Sequence, residues 1–251
     1  MARAPLPKGV FKLSAASASQ DFSEATKAFP FGLGRQGVHE VCEATYGDRT
    51  AALGFVAAHL PVRGGPIIAI AQTNPLADHG RWYETGLRIF TRQSPPFLHV
   101  TARTAKQVLW ATEEALSSGA PGLVIAETDT PDFTASRRLA LAAAKTGVPA
   151  ALLLPHTTQG STAATVRWRI STQRSAANPY DAGAPGATRW RAIAERIRSA
   201  PHHAGAIFDL EFDHETFRLD LVSRLAPDAA QARPSGRLPA DISAGKAVRT
   251  G

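Results

Sequence analysis

Five short apolar runs punctuate the first two thirds of the chain, at residues 38–42, 66–71, 97–100, 122–126 and 150–154. Runs this short and this uniformly apolar suit strands buried on both faces of a sheet. Between them lie segments with helical spacing, at 49–59, 81–90, 104–117 and 133–145. In the third of these, Val108, Leu109, Ala111, Ala115 and Leu116 make one stripe, Thr104 stands where an N-cap belongs, and Gly119 follows the end. The fourth begins behind Thr130-Pro131-Asp132 and stops at Gly147. Strict alternation of strand and helix predicts a mainly parallel sheet with right-handed crossovers and helices on both faces.

After Thr158 the pattern changes. Apolar-polar alternation over 166–170, 190–197, 207–212 and 217–221, with turn residues at 179–186, 201–205 and 213–215, predicts an antiparallel extension of the sheet. The 190–197 segment also carries helical spacing at Trp190, Ile193 and Ile197, and strand is the preferred reading. Residues 1–20 and 226–251 are rich in Ala, Ser, Pro, Gly and Arg without apolar period and are expected to be disordered tails. The domain is expected to occupy 21–225.

Composition narrows the class. At 251 residues with 44% hydrophobic and 20% charged residues, the chain suits one large core, and no run approaches the ~20 apolar residues of a membrane span. Arg3 and Lys8 are followed by a stretch broken by Lys12 and Gln20, so no signal-peptide core is expected and the cytoplasm is the expected location. Cys42 is the single cysteine, which excludes an internal disulfide and a cysteine-built zinc site. The formal charge of +7 is concentrated late: residues 161–200 hold Arg167, Arg169, Arg174, Arg189, Arg191, Arg196 and Arg198 against Asp181 and Glu195. Such a face is a candidate for contact with DNA or an acidic partner. It is equally what a half-exposed sheet shows, with arginine stems covering apolar surface.

Ligands of parallel sheets sit at the carboxyl ends of the strands, which directs attention to the residues after Cys42, Ala71, Ala126 and Leu154. A phosphate loop there would need GxxxxGK[ST], in which backbone N–H groups wrap the phosphates, lysine neutralises them and the hydroxyl holds magnesium. The chain keeps Gly47, but Cys42 stands at the first glycine, Asp48 at the lysine, and Thr50 falls one place late. A carboxylate about 4 Å from a phosphate charge is repelled by roughly 4 kcal/mol at an effective dielectric near 20. Arg49 is the available substitute cation. Strand two ends in Gln72, which orients a water but does not take its proton, and strand four ends in Glu127. His156 follows the fifth strand, and His202-His203 lies in a turn without a further spaced metal ligand.

Taken together, residues 31–170 resemble the RecA-like P-loop core, and most specifically the ImuA family of bacterial damage-induced mutagenesis. The resemblance is carried by the glycine-rich turn at Gly32, Gly34 and Gly37 leading to a strand with Glu40. It is carried further by the helix with Trp110, Glu113 and Glu114, Ser118-Gly119-Ala120, the strand ending in Glu127, and the stretches Thr134-Ala135-Ser136-Arg137-Arg138-Leu139 and Arg167-Trp168-Arg169. With the arginine-rich late strands it covers about 190 residues. Asp48, Gln72 and Glu127 stand where that core has its lysine, catalytic glutamate and Walker-B aspartate, so bound ATP and magnesium are not expected. The segment matching the long DNA-binding loop shrinks to 157–163. The resemblance implies a non-catalytic accessory of error-prone translesion synthesis in the SOS response, a partner of ImuB, a Y-family-like protein, and of an error-prone replicative-type DNA polymerase. RecA and DNA are further candidate contacts, and no membrane is expected. Two alternatives are a weak ATPase of DNA repair and a SulA-like inhibitor of cell division.

Overall fold

The computed structural model describes residues 29–59, 64–73, 80–90 and 95–222. The tails expected at 1–20 and 226–251 lie outside the described residues. The elements run β1 (Val38–Glu43), α1 (Arg49–Ala58), β2 (Ile67–Gln72), α2 (Glu84–Arg88), β3 (Phe97–Ala102), α3 (Ala105–Ser118), β4 (Leu123–Glu127), α4 (Phe133–Thr146), β5 (Ala150–Leu154), β6 (Val166–Gln173), β7 (Arg189–Ile197), β8 (Ile207–Asp213) and β9 (Arg218–Leu221). They build a nine-stranded sheet in the order β3-β2-β4-β5-β1-β6-β7-β8-β9. Contacts from β3 through β6 are parallel. The antiparallel part therefore begins one strand later than the sequence pattern implies: β6 lies parallel to β1 and only β7 to β9 reverse.

Period-two alternation splits the core between the faces. Val41, Leu153, Trp168 and Ile170 meet Ala52, Phe55 and Val56 of α1 on one face. Cys42, Ile70, Val124 and Leu152 meet Val108 and Leu116 of α3 and Leu139 and Ala143 of α4 on the other. Burial pushes the Cys42 thiol up to about 12, which leaves it a packing residue. The caps follow the sequence signals. Thr104 and Gln107 form a reciprocal capping box on α3, the Asp132 carboxylate accepts the Ala135 N–H at 2.7 Å on α4, and Gly119 and Gly147 close the two helices with φ of 69° and 73°.

Two expectations need correction. The 97–100 run is not buried on both faces, because β3 is the edge strand and Leu98 is 54% exposed. The helix expected over 81–90 contracts to Glu84–Arg88, since Tyr83 is extended and the Trp82 indole is drawn away to Glu127. The ambiguous 190–197 segment is a strand.

A glycine inside α1 has a packing reason. Gly54 faces Trp190, and a Cβ there would stand 2.7 Å from the indole Cζ2. Alanine is favoured over glycine in a helix by about 1 kcal/mol, yet Gly54→Ala is expected to lower stability by about 1–3 kcal/mol through overpacking. Chemical denaturation decides this, and a more stable variant would mean that the Trp190 ring has room to retreat.

Candidate functional site

The carboxyl ends of β1, β2, β4 and β5 converge on one edge, where a phosphate loop would follow β1. The turn there is closed by its own carboxylate. Asp48 Oδ2 accepts the N–H of Thr45 at 3.1 Å and its hydroxyl at 2.8 Å, and Oδ1 accepts the Thr172 N–H from β6 at 2.9 Å. Burial works against the charged form, but the donors on Thr172 and Thr45 outweigh it and hold the carboxyl below its usual range. Asp48 thus sits inside the turn as an internal anion, taking backbone N–H groups of the kind a phosphate would need. Gly47, with φ of 100°, supplies the left-handed step that lets the chain double back.

The cation and acid beside it are spent on each other. Arg49 pairs with Glu127, whose side chain is 3% exposed, and Trp82 Nε1 donates to the second carboxylate oxygen at 3.1 Å. Burial lowers the Arg49 pKa, and the Glu43 charge works the other way. Gln72 is buried, with no partner for Oε1 among the described residues, and Thr50 is exposed on the first turn of α1. The cavity left between Glu43, Arg49, Glu127 and Pro155 measures ≈ 50 Å³. Neither the donors nor the space fit a magnesium nucleotide there. His156 lies 3.9 Å from Glu43, with its ring edge-on to Tyr46. Among the described residues no group of three His, Cys, Asp or Glu is placed to hold a metal ion, and no helix is long and apolar enough to cross a membrane.

The late arginines also have internal partners. Arg167 donates from Nε to Glu40 at 2.6 Å and from Nη1 to the Gly160 carbonyl at 2.9 Å. Arg169 pairs with Glu195 and donates to the carbonyls of Glu43, His156 and Thr158 at 2.8–2.9 Å. Arg198 donates to the Ala163 carbonyl at 3.0 Å. Three of the six candidate residues therefore pin the short segment between β5 and β6. Arg189 and Arg191 face Glu211 and Asp209 across the β7–β8 ladder at 2.7 Å each. Arg196 alone of the six has no side-chain hydrogen bond or ion pair among the described residues. It lines a polar cavity of ≈ 420 Å³ with Gln159, Thr162 and Glu195.

Sequence reasoning missed three participants. Trp82 carried no motif, Thr172 reaches Asp48 from a distant strand through its backbone N–H, and Glu40 stands 127 positions from the arginine it neutralises. A usable signal existed for the β7–β8 pairs. Arg189 and Arg191 share one face of β7, as Asp209 and Glu211 share one face of β8, and hairpin register brings such faces together.

Fold and site define an α/β protein with a mixed nine-stranded sheet whose strand-end crevice is filled by its own side chains. No family model matches the sequence. The chain is 30% identical over 169 residues to Protein ImuA from two strains of Caulobacter vibrioides, NA1000 and ATCC 19089. The match takes in 61% of this chain and 66% of each relative, a little under two thirds of their length. Over these residues the chain is similar to ImuA, at modest identity.

Proposed function

We propose that this protein is a non-catalytic accessory with a RecA-like core, acting in damage-induced, error-prone DNA synthesis beside an ImuB-type protein and an error-prone polymerase. The likeness to ImuA supports the pathway. The parallel sheet with helices on both faces, and a loop after β1 at the strand-end edge, support the RecA-like reading. The observation that carries the non-catalytic part is Asp48 inside its own turn, with Arg49 and Glu127 paired across the place a nucleotide would need. Five of the six candidate arginines, Arg196 excepted, already hold a carboxylate or a backbone carbonyl, which speaks against a set of free cations for DNA.

Purified protein is expected to hydrolyse no ATP, with or without single-stranded DNA, and to co-purify from damaged cells with the ImuB-type protein and the polymerase. A turnover of ~1 per second, within the ordinary enzyme range, and abolished by Glu127→Gln, would overturn the non-catalytic reading. For DNA contact, the salt dependence of binding is the discriminating measurement. Each phosphate-contacting arginine removed should reduce the log-log slope by about one. Arg189→Ala/Arg191→Ala is expected to leave that slope unchanged.

A further inference from the structure

The chain has three tyrosines, and all of them stand at the carboxyl edge of the sheet. Tyr46 lies in the turn after β1, Tyr83 in the segment entering α2, and Tyr180 in the loop after β6; they are 74%, 73% and 96% exposed. One exposed aromatic needs no explanation. Three on the edge where the crevice is closed match the enrichment of tyrosine at protein interfaces.

Beside Tyr83 opens a cleft of ≈ 640 Å³ between α1, residues 80–90 and the start of β7. Its volume falls within the roughly 300–1,000 Å³ usual for recognition pockets. Leu53, Trp82, Tyr83, Ile89, Phe90 and Trp190 supply an apolar wall, and Ile89 at the rim is 52% exposed. Among the described residues only arginines bring charge to it. Arg49 is committed to Glu127, whereas Arg81 is exposed and has no ion-pair partner among the described residues. Among the described residues no carboxylate lines the cleft.

We infer that this cleft is the docking site for a protein partner, which inserts a bulky apolar side chain and sets a neighbouring aspartate or glutamate against Arg81. The inference rests on the accessory reading above and names its contact surface. Charge complementarity selects the acid, since an apolar pocket rimmed by an exposed guanidinium recognises an apolar anchor flanked by a carboxylate. Nucleic acid is disfavoured by the neighbours of the rings. Glu84 follows Tyr83, Asp181 follows Tyr180 and Asp48 lies two places after Tyr46, so a phosphate backbone would meet an acid beside each stacking ring. A nucleotide is disfavoured by Asp48 and by the commitment of Arg49.

The test starts from the immobilised full chain panned against a random dodecamer peptide library. Enriched peptides are then synthesised and titrated, with tryptophan fluorescence reporting on Trp82 and Trp190. The expected consensus is a large apolar residue adjacent to Asp or Glu. Tyr83→Ala and Arg81→Glu, both exposed and checked for an unchanged melting temperature, should each weaken binding by about tenfold or more. A peptide with lysine in place of its acid should regain affinity for Arg81→Glu, which loss of fold cannot produce. Absence of a consensus overturns the inference, as does equal binding to both variants. Displacement of the peptide by ATP, by oligothymidylate or by self-association of the chain also overturns it and assigns the cleft to that ligand.

Co-purification separates this inference from the reading beneath it. If the Arg81→Glu/Tyr83→Ala chain still recovers the partners of the wild type, the docking site lies elsewhere and the accessory role stands. If the wild type hydrolyses ATP and recovers none, both fall together.

Discussion

Replacement of Glu40 by alanine is expected to lower the unfolding free energy by about 3–5 kcal/mol, the usual cost of removing one partner from a buried ion pair. Glu40 lies at the centre of the sheet with none of its surface exposed, and Arg167 keeps 6%. One carboxylate oxygen receives the Arg167 Nε and the other receives the Thr162 hydroxyl at 2.5 Å. Thr162 is held in turn by Ser136 of α4 at 2.9 Å, and Ser136 accepts the Ala163 N–H at 3.0 Å. Truncation leaves a largely buried guanidinium with no counter-charge, and it frees the hydroxyl that joins α4 to β1. The pair need not be stabilising against an apolar replacement. Glu40→Leu/Arg167→Met should therefore cost much less than Glu40→Ala. Denaturant unfolding of the three chains measures both differences, and a loss below about 1 kcal/mol for Glu40→Ala would show that the charge is reached by water.

Acidification should destabilise the protein well above the range in which carboxylates titrate. His39 is 1% exposed on β1, and burial pushes its pKa from 6.5 to about 4 against a smaller opposing effect of the Gln36 and Gly34 backbone. His59 at the end of α1 is also lowered to about 4, by burial first, with the Phe55 carbonyl opposing. The unfolded chain takes these protons near pH 6.5 and the folded chain refuses them until about pH 4. Stability is therefore whole above pH 6.5 and is lost as pH falls toward 4, by about 3 kcal/mol for His39 alone. His59 adds loss of the same sign. Asp48 and Asp213, both held below 3.8, bring their own loss only at lower pH. Unfolding followed from pH 7 to 4.5 in wild type and His39→Gln checks this. Parallel curves would remove His39 from the account.

The alternation that built the fold was readable because parallel strands buried on both faces must be apolar throughout, as β5 is from Ala150 to Leu154. Caps were readable because Thr104, Asp132, Gly119 and Gly147 act within one turn of where they stand. The position of β3 at the edge was not, since an edge strand with one covered face can carry the same apolar run as a central one. For the site, the departures at Asp48, Gln72 and Glu127 were visible residue by residue. What Asp48 does instead was hidden, because its partner Thr172 comes from a strand that only folding brings alongside. The arginines misled for the same reason: net charge per segment records the bases of β6 and β7 but not the acids of β1 and β8 that face them.

The position of β1 has a consequence for how the chain comes into being. It is the first described strand in sequence, but it lies between β5 and β6, and its backbone must wait for Ala150–Leu154 on one side and for Val166 and the residues after it on the other. At roughly 5–20 residues per second of synthesis, that leaves its backbone unpaired for on the order of ten seconds on the ribosome. No local hairpin can shelter it, since parallel pairing closes long loops before it is rewarded. Nascent chains arrested before residue 150 should accordingly bind chaperones through β1, and release should coincide with the emergence of β6.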